Sequence, residues 1–586
     1  MTTLTPPPPT TAPAVQPTDS RQRGRWADRL RRLASVQGLV LGAAVLLVVY
    51  LVLVPIVYLL AGTFFSDGQF TLKFFAKAYL TPGLWDMVWN SFVYSIGSTI
   101  VALFFGTALA YLVARTDTPL KSLVYAAALV PLIIPGVLHT VAWIFLASPE
   151  IGSLNVLLAP ILGERALNVF SMPGMIMVEG FHMSPLIFLL MYAAFRNMDS
   201  SLEESALMSG ASMARVLRVI TIPLVKPALL LATLIMFIRA MSSFEVPALI
   251  GSPAGIFVFT SRIFQSLLGF PADYGSAGAY SIGLLTILGI FALLQMQMSR
   301  RSRAYQTVSG KGFRPTTVKL GRFRPLVGAL VAVYFVVTSI LPLAALVYTS
   351  LLGFYRTPSA AAFRSMSLDN YVGVFTNSQT LSALKNSLVL SIGSATIVMF
   401  VTALIAWLVV RARTRGATVL NALASMPLGI PGLIMGVALL FTYLRVPIPI
   451  YGTLWILLIA YVTIFLPYGI TYATSAMYQI SGELEESGRV CGAGWWTIFR
   501  SITLPLLMPG LIAGWTFIVL IAIRELGASL LLYSPGHEVL AIMIWEEWAD
   551  GELVQLAALG VVMIVLLVVL VAVARRLGAK VGVHAS

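Results

Sequence analysis

The sequence predicts an all-α polytopic membrane protein, with twelve transmembrane helices arranged as two parallel six-helix repeats. Three observations carry that expectation: 58% hydrophobic against 10% charged residues in a chain of 586, twelve long apolar runs, and a set of polar segments that occurs twice. So little polar surface cannot cover a soluble globule of this size, which excludes that class.

An α-helix crossing a bilayer needs about 20 apolar residues. Runs of that kind lie near 37–62, 89–114, 122–147, 172–195, 227–249 and 279–298, and again near 325–351, 386–410, 418–443, 453–475, 509–531 and 553–574. The organisation expected from them is a disordered basic tail at 1–36, a first repeat at 37–298, a basic linker at 299–324, a second repeat at 325–575 and a short tail at 576–586. Residues 1–20 are Pro- and Thr-rich without an apolar run, so they read as a tail rather than a cleaved signal.

The net charge of +15 would suit nucleic acid, but its placement suits a membrane. Arg21, Arg23, Arg25, Arg29, Arg31 and Arg32 precede the first run, and Arg300, Arg301, Arg303, Lys311, Arg314, Lys319, Arg322 and Arg324 fill the linker. The positive-inside bias assigns both to the cytoplasm, with both termini. Arg115, Lys121, Arg411, Arg413, Arg415, Arg575, Arg576 and Lys580 agree, and the last outer loop holds Glu546, Glu547, Asp550 and Glu552 without a Lys or Arg among them. Cys491, the single cysteine, excludes an internal disulfide and a Cys-rich metal cluster.

The duplication is explicit. Leu202-Glu203-Glu204-Ser205-Ala206, Gly210 and Ile220-Thr221-Ile222-Pro223 return 282 positions later as Leu484-Glu485-Glu486-Ser487-Gly488, Gly492 and Ile502-Thr503-Leu504-Pro505. Upstream, Asn90-Ser91, Ser95-Ile96-Gly97-Ser98, Pro131 and Pro135-Gly136 return at an offset of 296 as Asn386-Ser387, Ser391-Ile392-Gly393-Ser394, Pro427 and Pro431-Gly432. The first half therefore holds 14 extra residues between Gly136 and Glu203, expected in the outer loop around Pro149–Ser171. An even number of spans per repeat gives both halves one orientation, related by an axis along the membrane normal. The Pro and Gly residues of the third and ninth runs break helical bonding, either as packing kinks or where protein or a water-filled cavity satisfies the freed groups.

Charged, glycine-punctuated segments are costly in hydrocarbon, so both copies belong in exposed loops. Each is expected to form a short helix with acidic residues in its first turn, followed by a glycine turn and a proline-led entry into the next span. Such short helices gain order by docking, on a partner or on the lipid surface.

Glu204-Ser205-Ala206, Gly210 and Ile220-Thr221-Ile222-Pro223 resemble the EAA signature of permease subunits of ATP-binding-cassette importers, and the second copy keeps the spacing. That resemblance implies the type I ABC importer permease fold and a coupling helix that docks in a groove of a cytoplasmic ATPase. Glu203, Glu204, Ala206, Gly210, Glu485, Glu486, Gly488 and Gly492 would form or shape that contact, with Pro223 and Pro505 leading into the next helix. Gly488 replaces the usual alanine and is expected to loosen the second helix by about 1 kcal/mol. No P-loop occurs, since Gly310-Lys311-Gly312 lacks the hydroxyl and the upstream glycine. The resemblance thus implies no enzymatic chemistry and no cofactor here: ATP and Mg belong to two copies of a separate ATPase, and an extracytoplasmic binding protein delivers the cargo. The fused layout resembles ferric-iron permeases of a bacterial inner (plasma) membrane, whose relatives carry polyamines, thiamine or phosphonates. An ion-coupled secondary transporter is the alternative of a different class.

Candidate pathway residues are Glu179 and His182, one face of the fourth span, whose second-half partners are Tyr461 and Ile464. Arg239 and Glu245, and Arg524 and Glu525, sit late in the fifth and eleventh runs, lining a vestibule, meeting the binding protein, or forming interfacial pairs. His139 reads as a satisfied core residue, and Trp85, Trp89, Trp545 and Trp548 as an interfacial belt. With four His, one Cys and no clustered intramembrane carboxylates, no permanent metal site is expected.

Overall fold

The computed structural model describes residues 36–198, 201–302, 318–412 and 416–580. The expected disordered tail, most of the linker and the last residues lie outside the described residues. Among those described, ten helices are long and apolar enough to cross a membrane, and two bent pairs bring the spans to twelve. The first half contains Gly42–Phe64, Leu84–Arg115, the pair Lys121–Leu132 and Gly136–Ala147, Met172–Arg196, Leu217–Ser242 and Tyr274–Ser299. The second repeats the order with Gly321–Ser350, Ser378–Arg411, the pair Ala417–Gly429 and Gly432–Tyr443, Leu454–Gln479, Trp495–Ile523 and Leu553–Ala574.

The third span of each half is broken rather than kinked. The two segments meet at 104° in the first half and 109° in the second. Proline supplies the cause. A residue before proline is pushed out of the helical region, and Ile430 accordingly sits at φ −107°, ψ 117°, before Pro431 caps the restarted helix. Pro135 plays the same part ahead of Gly136.

Pro223 and Pro505 behave differently from expectation: the helix runs through them. A π-turn at Leu217–Thr221 joins Met213–Val216 to Ile222–Ser242, and Phe499–Thr503 joins Trp495–Ile498 to Leu504–Ile523. The wide turn moves the carbonyls away from the pyrrolidine ring, so the proline clash is avoided without breaking the rod. The spans consequently begin earlier than the apolar runs suggest, near the motif, and end at Ser242 and Ile523. Arg524 and Glu525 thus lie in the turn just beyond the helix, and Glu245 opens the short helical segment that follows the break at Ser243-Phe244.

Small residues let the backbones close up, as is usual between membrane helices. A side chain on Gly180 would stand 2.4 Å from Val101, and one on Gly469 would stand 2.5 Å from Val398. The halves are interlaced: the first span of each packs on the bent pair of the other. Gly62 lies against Phe441, Tyr50 bonds Tyr443 between hydroxyls at 3.0 Å, and in the second half Tyr355 donates to the Ile151 carbonyl at 2.6 Å. The extra residues of the first half form the short helix Ser153–Leu162, in the loop where they were expected.

Candidate functional site

Two places concentrate buried charge: the motif loops on one face of the bundle, and the level at which the bent pairs break.

In the first motif loop, helix Ser201–Met208 carries Glu203 inward and Glu204 to its partly exposed side. Glu203 accepts from Arg115 Nη2 at 2.6 Å through Oε2 and from the Thr221 hydroxyl through Oε1. The second loop, on helix Glu483–Val490, repeats this: Thr503 Oγ1 donates to Glu485 Oε1 at 3.0 Å, Arg411 Nε lies 3.4 Å from the same oxygen, and Arg489 Nη2 is 3.8 Å from Oε2. Each triad ties the motif helix to the end of the second span and to the start of the fifth. Glu203 and Glu485 therefore shape the loop from within, whereas Glu486 is exposed. Each threonine satisfies one carboxylate oxygen of its pair, while Arg115 Nε, Arg411 Nε and Glu485 Oε2 have no hydrogen-bond partner among the described residues.

Gly210 and Gly492 adopt φ of +84° and +80°, the left-handed conformation that ends a helix at least cost for glycine. Ala211 N donates to the Ala206 carbonyl and Ala493 N to that of Gly488, both at 3.0 Å, closing the terminal turn. Gly488 also has a packing reason: a side chain there would approach Ile502 at 3.0 Å and Ile498 at 3.2 Å. Next to these turns Met208 is 90% exposed and Val490 88%, apolar tips at the same repeat position. The spacing of the motif located the helices and glycines. It did not show that Arg115 and Arg411, which obey the 296 offset, pair with Glu203 and Glu485, nor that Thr221 and Thr503, inside the motif itself, bond the same carboxylates.

At the central level each break glycine faces a glutamate. A side chain on Gly136 would lie 3.5 Å from the Glu245 carboxyl and 3.6 Å from His182 Nε2; one on Gly432 would lie 2.7 Å from Glu525 Oε1. Arg524 crosses between halves and donates to the Leu132 carbonyl at 2.6 Å, and Arg239 crosses the other way to the Tyr468 hydroxyl at 2.9 Å. Glu525 also accepts from Ala528 N at 3.1 Å. Arg239 is accessible although it stands among the helices, and Glu245, Arg524 and Glu525 are partly accessible. On one side this level is covered by Phe244, Phe264 and Trp545, whose ring centroids are 5.2–5.6 Å apart. Trp545 is thus a cross-half contact rather than a belt residue, while Trp85 and Trp89 remain exposed at 79% and 70%.

Glu179 is buried beside this level and accepts from Ser243 Oγ at 3.0 Å, leaving Oε1 without a partner among the described residues. The His139 and His182 rings lie tilted at 39° with centroids 5.0 Å apart, and both His139 nitrogens and His182 Nδ1 have no side-chain partner among the described residues. His139 is fully buried, as expected of a core residue. The second half closes the same place with Met435, Tyr461 and Ile464, Tyr461 bonding Ser529 between hydroxyls at 2.8 Å. The described residues contain no group of three or more His, Cys, Asp or Glu arranged to hold a metal.

Binding-protein-dependent transport system inner membrane components match residues 99–299 and 399–583, one match in each repeat. The chain is 26% identical over 476 residues to the Fe(3+)-transport system permease protein FbpB 2 of Haemophilus influenzae, covering 80% of this chain and 86% of that one. It is 24% identical over 533 residues to the ferric transport system permease protein FbpB of Actinobacillus pleuropneumoniae, with 89% and 75% covered. A putative 2-aminoethylphosphonate transport system permease protein PhnV of Salmonella typhimurium matches at 26% identity over 44% of this chain but 97% of its own length.

Proposed function

Since the chain belongs to the binding-protein-dependent transport system inner membrane components, with one family match per half, we propose that it is the fused permease subunit of an ATP-driven ferric-iron importer. The motif face is cytoplasmic, as are both termini, and each motif loop receives one of two copies of an ATPase. The paired exposure of Met208 and Val490 beside clamped glutamates is the observation that carries this reading: two stiff, apolar-tipped projections fit two grooves. ATP and Mg reside on the ATPase, and this chain performs no chemistry of its own. A binding protein supplies cargo at the opposite face. The ferric assignment rests on the names of the relatives that span most of the chain.

The geometry suggests how force travels. The clamp fastens each motif helix to the fifth span, and Leu217–Ser242, 26 residues long, extends about 39 Å from the motif to the central level. Displacement of the tip is therefore delivered beside Ser243 and Glu245. Separation of the halves breaks the Arg524–Leu132 and Arg239–Tyr468 bonds and parts the aromatic cover, opening a path lined by Glu179, His182, Glu245, Arg524 and Glu525. A weak, transient hold on the passing ion suits residues that do not converge on a metal geometry.

Uptake of radioactive ferric iron by cells expressing the chain, with and without its ATPase, tests the proposal. Full uptake without the ATPase would replace it by the ion-coupled reading, and uptake of 2-aminoethylphosphonate in place of iron would replace the cargo. The two accessible arginines give the anionic cargo its one structural argument.

A further inference from the structure

The face opposite the motifs carries a charge difference that the repeat does not explain. Both halves build the same frame there. Ser91 Oγ accepts from Phe259 N at 3.1 Å and Ser387 Oγ from Leu540 N at 2.8 Å, while Asn90 reaches the Phe257 carbonyl and Asn386 that of Glu538. Helix Phe259–Leu268 and helix Leu540–Asp550 are thus structural equivalents, offset by 281 residues. In this frame Phe264 matches Trp545, and their rings touch at 5.5 Å. Equivalent residues in contact must straddle the axis that relates the halves, so the two helices flank it.

Their charges are opposite. The first-half helix holds Arg262, lying over the Phe257 ring at 3.9 Å, and no carboxylate. The second-half helix holds Glu546, Glu547 and Asp550 and no basic residue, with Glu552 just beyond. Glu538 takes the place of Phe257 beneath them, 4% exposed, with Oε2 unpartnered among the described residues. No Lys or Arg occurs between Arg524 and Arg575, and no ion pair among the described residues involves these carboxylates. Burial first, and then Glu552, Asp550 and Glu546, push Glu547 up to about 7. Tyr533 hydrogen-bonds Glu546, but no basic side chain among the described residues offsets this repulsion, and a cationic partner would relieve it.

A partner seated over a pseudo-two-fold axis has two orientations related by a half turn. We propose that this charge difference selects one of them: the binding protein docks with a Lys- or Arg-bearing edge on the Glu546–Glu552 patch and its opposite edge on the side of Arg262. This rests on the binding-protein reading above. It assigns Glu546, Glu547, Asp550 and Glu552 as orienting contacts, with the buried Glu538 carboxylate adding to the field beneath them.

The test uses the permease–ATPase complex in nanodiscs and the binding protein that supports uptake. A photo-crosslinker is placed at Leu268 or at its equivalent Ala549, both exposed and outside the charged set. Each position is expected to label a different single edge of the binding protein. Replacing all four carboxylates (E546Q, E547Q, D550N, E552Q) is expected to weaken docking about tenfold at low salt, flatten its salt dependence and mix the two crosslinking patterns. Mixed labelling in the unaltered complex, or docking indifferent to salt, would overturn the inference; the salt series needs no variant and so does not depend on the substituted chain folding. If the unaltered complex shows no ATPase stimulation by any binding protein, the parent reading fails instead.

Discussion

Replacing Glu203 with alanine is expected to cost more than the same change at Glu485, and the difference follows from what each substitution strands. Arg115 is 1% exposed, and beside its 2.6 Å ion pair with Glu203 it makes a long 3.5 Å bond to the neutral Met198 carbonyl. Removing the carboxylate leaves a guanidinium buried and unpaired, a loss of about 3–5 kcal/mol for such a site. Arg411 is 17% exposed and keeps its bond to the Ile480 carbonyl, so its charge stays partly solvated and Glu485→Ala should cost about 1–2 kcal/mol. Glu203→Gln retains the Thr221 bond and falls between them. Thermal unfolding of the purified complex ranks the three variants, and the ratio of ATP hydrolysed to iron taken up reports the clamp itself. Equal losses at the two sites, or an unchanged coupling ratio in Glu203→Ala, would refute the argument that the triads carry force from tip to span.

Valine at Gly210 or Gly492 must adopt a positive φ, costing about 1–2 kcal/mol per position; transport and ATPase recovery on purification should fall while membrane insertion, read by fractionation, is unchanged. Met208→Asp with Val490→Asp should abolish ATPase co-purification with no shift in melting temperature, because both side chains touch little else. Glu179→Gln with His182→Ala should lower uptake or change its selectivity in a transport assay, and unchanged values would return both residues to a packing role. Glu547 loses its charge as pH falls through about 7, so docking of the binding protein should weaken between pH 8 and pH 6, beside Tyr533, Glu538, Glu546, Asp550 and Glu552; docking that strengthens toward pH 6 would contradict the assignment.

The spans and motif loops were legible in the sequence because each rests on a local signal, apolar length for the one and glycine-marked spacing for the other. What escaped reading depends on three-dimensional meeting. Arg115 and Arg411 stand at span ends, where an arginine reads equally as a topological marker, and only the return of the chain at Glu203 and Glu485 shows the pairing. Pro223 and Pro505 signal a helix start, and nothing local reveals that a π-turn absorbs the proline. The break glycines were visible as breaks, yet the glutamates facing them are 280 residues apart, two short of the local register, so the repeat alone did not match Glu245 with Glu525. Trp545 carries a belt residue's composition and a gate residue's position.

The interlacing of the halves has a consequence for how the molecule is made. A nascent first half emerges with Gly62 and the neighbouring face of its first span lacking the surface they pack against, because Phe441 and Tyr443 are translated almost four hundred residues later. The bundle therefore closes late in synthesis, as a docking of two half-bundles rather than as successive independent domains. Covalent linkage makes that closing step intramolecular, so its yield does not depend on the concentration of either half in the membrane.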